Sequence, residues 1–296
     1  EIYSKRLSMG NIAVIGTGKM GAAFAKRLID VGYKVTVWNR THEKAQELEK
    51  IGAHVVREID EIKAVEAYIL SLTDASAVQS VVAQIIESGV KNKLVIDTST
   101  LLPEDTRKIG QLLAEAGLDF VDCPVGGTVA PALNGKLLGM LGGSEANAEK
   151  ARPIMEQLCR RVEHMGPVGT GSHMKLAINL PLAIYWKTLA EALSMLEGSG
   201  VDNALAISVI ADSSGGPTVL KNREAVVVET LNGADQISTV SIDVLFKDLL
   251  LALKQSEGSS CSVSISKTTS DAYENAIQKG LGEFDGSTLT RFLVND

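Results

Sequence analysis

Residues 11–31 leave few architectures open to this chain. Asn11-Ile12-Ala13-Val14-Ile15 is a short, mostly apolar run rich in β-branched residues, Gly16-Thr17-Gly18-Lys19-Met20-Gly21 follows at once, and residues 22–31 carry a helical pattern. In a strand, glycine turn and helix of this kind each glycine has its own task. Gly16 allows the tight turn, Gly18 lets the backbone approach a pyrophosphate, and Gly21 lets the helix pack closely on the strand. The helix N-terminus then offers free N–H groups to phosphate oxygens. The reading is a dinucleotide-binding turn, with Gly16, Thr17, Gly18, Lys19, Met20 and Gly21 at the cofactor.

A second strand, residues 33–38, ends about 20 residues beyond the glycines, where NAD enzymes place an acidic residue on the ribose 2′-hydroxyl. Here the strand ends in Asn39-Arg40-Thr41. An Asp there would repel a 2′-phosphate, whereas Arg40 can pair with it and stack on adenine, and Asn39 and Thr41 can donate hydrogen bonds. NADP(H) is therefore the expected cofactor; the plain alternative is that Arg40 is a solvated loop arginine.

Strands and helices go on alternating: a strand at 64–72, a helix at 77–86, a strand at 93–97, a helix at 103–116 with proline at its start, and a strand at 119–122. Strands at 137–141 and 162–165 complete the set, and residues 166–171 read as a linker. This alternation predicts an α/β Rossmann domain, doubly wound on a mostly parallel sheet, in which ligands bind beyond the carboxyl ends of the strands. Leu72 at the end of one strand with Thr73 beyond it, and Ser99 and Thr100 beyond another, thus become candidate cofactor or substrate contacts. Gly126-Gly127-Thr128 reads either as an anion-binding concavity of consecutive N–H groups or as a plain connection.

Beyond Gly171 helical periodicity takes over, first in a long stretch at 172–198 with Ser172 as N-cap and a kink expected at Pro181, then at 203–212, 241–256 and 264–279. Lys175 and Asn179 are four apart on the long helix and share one face. Lys247 and Asp248 interrupt an otherwise apolar helix, where a lone lysine is ordinarily a solvated or snorkelling charge. The predicted domains are 9–169 and 170–296, the second all-α and joined through the long helix; residues 1–8 show no periodicity and read as a tail.

Composition excludes several function classes. The 296 residues are 45% hydrophobic, ample for two buried cores. Twenty-nine Lys and Arg against 36 Asp and Glu give a net charge of −7 without long single-sign runs, which argues against nucleic-acid or anionic-membrane partners. No apolar run reaches the length of a membrane span and no signal pattern opens the chain, so a cytoplasmic protein is expected. Cys123, Cys159 and Cys261 lie far apart, the four histidines form no metal-ligand pair, and no metal is expected.

Taken together, these segments resemble the β-hydroxyacid dehydrogenases, a group that includes 3-hydroxyisobutyrate dehydrogenases, tartronate semialdehyde reductases and glyoxylate/succinic semialdehyde reductases. The resemblance is carried by Gly16-x-Gly18-x-Met20-Gly21, Asp97-x-Ser99-Thr100, Asp122-x-Pro124-Val125, Gly169-x-Gly171-x-x-x-Lys175-x-x-x-Asn179 and Lys247-Asp248-Leu249-x-Leu251-Ala252. A closing Ala276-x-x-x-Gly280-Leu281-Gly282-Glu283-x-Asp285 also matches. The resemblance implies hydride transfer between a nicotinamide and the carbonyl of a small aldehyde- or keto-acid, with Lys175 as proton donor and Asn179 holding substrate and lysine in register. It also implies that Lys247, set by Asp248 and counted with both substrate and cofactor contacts, receives a carboxylate together with Ser99 and the Gly126-Gly127 backbone. A homodimer through the helical half is the implied assembly.

The sequence departs from the family where most members carry Ser-Gly-Gly or Ser-Gly-Ser after Asp-x-Pro-Val; here Gly126-Gly127-Thr128 stands, and the hydroxyl is missing or moved to Thr128. Pro181 and Trp186 on the long helix are further departures. Two alternatives accompany the main reading: an NADPH-dependent imine reductase or reductive aminase, a group that shares the Asn-Arg-Thr signature but generally lacks the lysine found here at 175, and a catalytically silent NADP-binding module.

Overall fold

The computed structural model describes residues 10–238, 240–257, 260 and 262–294. The expected tail at 1–8, the domain start at residue 9 and Cys261 lie outside the described residues. The chain divides into two compact units, Glu1–Lys175 and Leu176–Asp296.

In the first unit the elements run β1 (Asn11–Ile15), α1 (Lys19–Asp30), β2 (Lys34–Trp38), α2 (His42–Gln46), β3 (His54–Val55), β4 (Ala67–Leu70), α3 (Ala75–Glu87) and β5 (Leu94–Asp97). Then come α4 (Pro103–Glu115), β6 (Asp119–Asp122), β7 (Val125–Gly126), α5 (Val129–Leu133), β8 (Leu137–Gly142), α6 (Glu145–Leu158) and β9 (Cys159–Gly166). The sheet order is β3-β2-β1-β4-β5-β6-β8-β7, with β9 paired to β8. The first six strands are mutually parallel and β8 runs antiparallel to β6 and β7, so the sheet is doubly wound and mostly parallel as expected. Strand order reverses between β1 and β4, which places the ligand crevice at the carboxyl end of β1.

The two faces follow from strand alternation. Ile12 and Val14 point into one apolar layer with Phe24 and Leu28 of α1, while Ala13 and Ile15 point into the other with Val78, Val81 and Ile85 of α3 and Ile109 of α4. Burying a Phe24 or a Leu28 contributes about 1.5–3 kcal/mol each. Cys123 and Cys159 are buried free thiols whose sulfurs both lie 3.2–3.4 Å from where a Cβ on Gly139 would stand. Burial pushes the Cys123 thiol well up and that of Cys159 up to about 12.

α7 (Thr170–Ser194) leads from the first unit into the second, which contains α8 (Asn203–Asp212), α9 (Thr218–Lys221), α10 (Glu224–Leu231), α11 (Ile242–Ser256), α12 (Ser264–Gln278) and α13 (Thr288–Val294). Its core gathers Trp186 and Leu189 of α7, Ile207, Val227, Leu245, Leu249 and Tyr273. The Tyr273 hydroxyl donates to the Ala183 carbonyl at 2.9 Å. Asp285, almost fully buried, pairs with Arg223 and accepts from the Ser287 amide and hydroxyl at 3.0 and 2.7 Å. Among its described residues the second unit is built of helices, with isolated β-bridges from Ile237 to Phe284 and from Ser241 to Asp285, as the loss of strand patterning beyond Gly171 predicts.

Several boundaries differ from the sequence reading. The strand read at 64–72 is only four residues long, although Glu66 and Ser71 extend its ladder by donating to the Asn11 and Ile15 carbonyls. The linker read at 166–171 shrinks to Pro167, Val168 and Gly169, because β9 keeps Gly166 and α7 starts at Thr170. Ser172 is therefore inside the helix and is not its N-cap. α7 keeps its helical assignment through Pro181, which lacks a backbone N–H. Helix α6 has no counterpart in the sequence reading; Pro153 lies inside it, while Ser144 caps it by accepting from the Asn147 amide at 3.2 Å.

Candidate functional site

The three glycines of the turn sit in three different surroundings. Gly16 has φ +93°, a conformation that favours glycine, and a Cβ there would stand 2.3 Å from the Ser71 carbonyl oxygen. A Cβ on Gly21 would stand 1.8 Å from the Gly16 carbonyl oxygen, so this residue lets α1 close on the turn. At Gly18, in contrast, a Cβ would meet nothing within 4 Å: this side of the loop faces open space. Gly18 is the N-cap of α1 and supplies no side chain to its first turn, and Lys19 and Met20 follow at the helix start. The Thr17 hydroxyl is buried without a hydrogen-bond partner.

The end of β2 is tied to that turn. Asn39 Oδ1 accepts from the Thr17 amide and Asn39 Nδ2 donates to the Thr41 carbonyl, both at 2.9 Å. Asn39 is thus a brace between the first two strand ends, and Arg40 beside it is exposed. A second tie joins the next two: the Leu72 amide donates to Ser99 Oγ at 3.1 Å, and the Ser99 amide donates to Asp97 Oδ1 at 2.9 Å. Thr73 donates to Asp74 at 2.8 Å, Asp74 caps α3, and Thr100 is half-buried.

Two buried carboxylates end neighbouring strands, Asp97 on β5 opposite Asp122 on β6. Burial pushes the Asp97 carboxyl up to about 7, the nearby Asp122 charge adds to this, and hydrogen bonds from Ser99 oppose it. Burial also raises that of Asp122, against hydrogen bonds from Gly169 and Ser172. Asp122 Oδ1 accepts from the Gly169 amide at 2.7 Å, and Oδ2 from the Ser172 amide at 2.8 Å and its hydroxyl at 3.3 Å. In the sequence both carboxylates stand only as members of the motifs that carry the family resemblance. Their signal was an acidic residue closing an otherwise apolar strand, in 94–97 and in 119–122.

Gly126-Gly127-Thr128 is not a free loop. Val125 and Gly126 pair with Gly139 and Leu138 as strand β7, and Thr128 takes the N-cap position of α5. Gly126 thus lies in the sheet edge opposite Leu138, and Gly127, with φ +124°, leads from that edge to α5.

Lys175 is half-buried on α7, one turn before Asn179. In the second unit Asn179 Nδ2 donates to Asp248 Oδ2 at 2.6 Å, while Lys247 Nζ lies 3.2 Å from Asp248 Oδ1. Asn179 and Asp248 are buried and Lys247 reaches outward, so one carboxylate orients both a carboxamide and an ammonium group.

These residues fit a dinucleotide: an open loop face at Gly18, a helix start with no side-chain cap and a buried hydroxyl without a partner converge at the carboxyl end of β1. The fold and the turn define an NAD(P)-binding Rossmann oxidoreductase. Residues 11–166 match the family described as the NAD binding domain of 6-phosphogluconate dehydrogenase, and residues 169–293 that described as NAD-binding of NADP-dependent 3-hydroxyisobutyrate dehydrogenase. The chain belongs to the 3-hydroxyisobutyrate dehydrogenase family and is an oxidoreductase of the hydroxyacid dehydrogenase type.

Among its relatives, glyoxylate/succinic semialdehyde reductase 1 of Arabidopsis thaliana is 29% identical over 282 residues, spanning 94% of this chain and 96% of its own. An NAD-dependent L-serine dehydrogenase of Pseudomonas aeruginosa is 29% identical over 290 residues, spanning 96% and 97%. The solved 3-hydroxyisobutyrate dehydrogenase of Mycobacterium tuberculosis with L-serine aligns with a TM-score of 0.86 at 25% identity over 96% of this chain and 99% of its own. An imine reductase from Pseudomonas sp. shares the fold at a TM-score of 0.64 and 20% identity, over 97% and 99%. Among the described residues no helix is long and apolar enough to cross a membrane, and no group of three or more His, Cys, Asp or Glu could hold a metal ion.

Proposed function

We propose that the enzyme is an NADPH-dependent reductase of small aldehyde- or keto-acids, reversible as oxidation of the corresponding β-hydroxyacid. The observation that carries this reading is the contact chain from Asn179 through Asp248 to Lys247, in which one buried carboxylate accepts from a carboxamide and pairs with a cation. A substrate with a carbonyl and a carboxylate needs a proton donor for one and a cation for the other.

Bound NADPH supplies the hydride. Lys175 donates a proton to the carbonyl oxygen as negative charge develops on it, Asn179 holds substrate and lysine in register, and Lys247 receives the carboxylate. Ser99 and the segment Gly126-Gly127-Thr128 complete the substrate contacts. Glycine-turn residues 16–21, Asn39, Arg40, Thr41, Leu72, Thr73, Thr100 and Lys247 are the cofactor contacts. Preference for NADPH rests on Arg40, a cation at the end of β2 where a 2′-hydroxyl reader would be acidic. In this reading residues 9–169 are the cofactor domain and residues 170–296 the substrate and dimerisation domain of a cytoplasmic homodimer. Leu205 and Val209, one turn apart on α8 and both exposed, are the kind of surface that supports such an interface.

The test is oxidation of NADPH with glyoxylate, succinic semialdehyde, methylglyoxal and a cyclic imine, each repeated with NADH and with Lys175→Ala. Turnover of an acid-bearing aldehyde with NADPH, reduced about 10²–10⁴-fold in Lys175→Ala, is the expected result. Turnover of the imine alone would replace this reading with an imine reductase. Tight NADPH binding that supports no turnover of any of the four would replace it with a silent module.

A further inference from the structure

We propose that Asp122 is a positioning residue for Lys175, acting by fixing where α7 begins. This inference rests on the reading of Lys175 as proton donor. The first N–H groups of a helix have no acceptor inside it, and the N-cap of α7, Gly169, has no side chain to supply one. Asp122 takes over both halves of that task from the end of β6. Its Oδ1 accepts from the N-cap amide of Gly169 and its Oδ2 from the amide of Ser172 two residues into the helix beyond Thr170. In an ordinary capping box two side chains share these two bonds; here one buried carboxylate makes both. Its negative charge also lies at the positive end of the helix.

The surroundings are shaped to let helix and carboxylate meet. A Cβ on Gly142 would stand 2.5 Å from Asp122 Oδ1, and a Cβ on Gly171 2.2 Å from the Met140 carbonyl oxygen and 2.9 Å from Asp122 Oδ2. Gly169 has φ +92°. The Ser172 hydroxyl, besides reaching Asp122, lies 2.9 Å from Thr106 Oγ1, which ties the same turn to α4. Lys175 follows Ser172 by three residues, less than one helical turn. Sliding the sequence by one residue against the Asp122 anchor would turn the Lys175 side chain by about 100° around the helix axis. A strand end that carries no reacting group thus sets the direction of one that does.

The experiment is steady-state kinetics of the full-length enzyme with an acid-bearing aldehyde, comparing Asp122→Asn, Ser172→Ala, Lys175→Ala and the two doubles with Lys175→Ala. Asn offers one oxygen and one NH₂ where two amides point, so Asp122→Asn is expected to reduce kcat about 10–100-fold while the Kd for NADPH stays within about 2-fold. Ser172→Ala, which keeps every backbone bond, is expected to reduce kcat about 2–5-fold. Neither variant is expected to reduce kcat further, beyond about 2-fold, in the Lys175→Ala background, because residues that act as a unit are not additive. A wild-type kcat in Asp122→Asn, or losses that multiply with that of Lys175→Ala, would overturn the inference while leaving the lysine reading intact. A wild-type kcat in Lys175→Ala would overturn both. Should Asp122→Asn fail to fold, the Ser172→Ala pair decides by the same additivity criterion.

Discussion

Asn179 and Asp248 are joined at 2.6 Å between two buried side chains that lie 69 residues apart in sequence. Deleting the acceptor strands the carboxamide in a dry environment, where an unsatisfied polar group costs about 1–3 kcal/mol. Asp248→Ala is therefore expected to lower the unfolding free energy by that amount, and Asp248→Asn, which keeps an acceptor, by less. Urea denaturation of the three proteins checks this; equal midpoints would show that the contact contributes nothing.

Gly18 and Gly21 are expected to behave oppositely. Gly18→Ala places its methyl in open space and leaves thermal stability close to wild type, yet it blocks the approach of a pyrophosphate and weakens NADPH binding. Gly21→Ala drives a methyl to 1.8 Å from the Gly16 carbonyl oxygen and destabilises the first unit by about 2 kcal/mol or more. Calorimetry together with cofactor titration separates the two effects; loss of stability in Gly18→Ala would contradict the open face.

Arg40→Ala is expected to raise the KM for NADPH far more than for NADH. A charge-assisted contact to the 2′-phosphate contributes about 1.5–3 kcal/mol, which corresponds to about 10–150-fold. Equal changes with both cofactors would remove Arg40 from the specificity argument.

Asp97 makes stability depend on pH. Its carboxyl titrates at about 7 when folded against an ordinary 3.8, so between these values the folded protein holds a proton that the unfolded chain has released. Stability from this group is fully present below about pH 4 and is lost as pH rises to about 7, by up to about 1.4 kcal/mol per pH unit. Asp97→Asn is expected to gain on wild type across that window and to keep a constant advantage above it. Guanidinium denaturation from pH 4 to pH 8 checks the sign, and a difference that stays flat with pH would contradict it.

What was legible in the sequence was local. The run 11–15, read as a short apolar and β-branched strand, is β1 residue for residue, and the structure adds that it is buried on both faces. The glycine spacing predicts a tight turn at Gly16 and close helix packing at Gly21, and added Cβ atoms at these two positions would collide with backbone. What escaped depends on partners distant in sequence. Asp122 is 47 and 50 residues from the amides it holds, and no spacing rule connects them. Ser172 fits an N-cap by residue type, but the acceptor comes from β6 and the N-cap is Gly169, three residues sooner. Helix α6 was hidden by Pro153, a residue that argues against a helix wherever tertiary packing does not override it. Gly126-Gly127 read as a loop because glycine pairs signal turns, while the sheet recruited the first of them to a two-residue strand.

The thiols of Cys123 and Cys159, flanking Gly139 in the interior, give the protein a built-in clock. Both are protonated and shielded from reagents while β6, β8 and β9 stay together, so an alkylating agent reaches them only when that part of the sheet opens. The rate at which the two sulfurs become labelled under native conditions therefore reports how often the strands that anchor the start of α7 come apart.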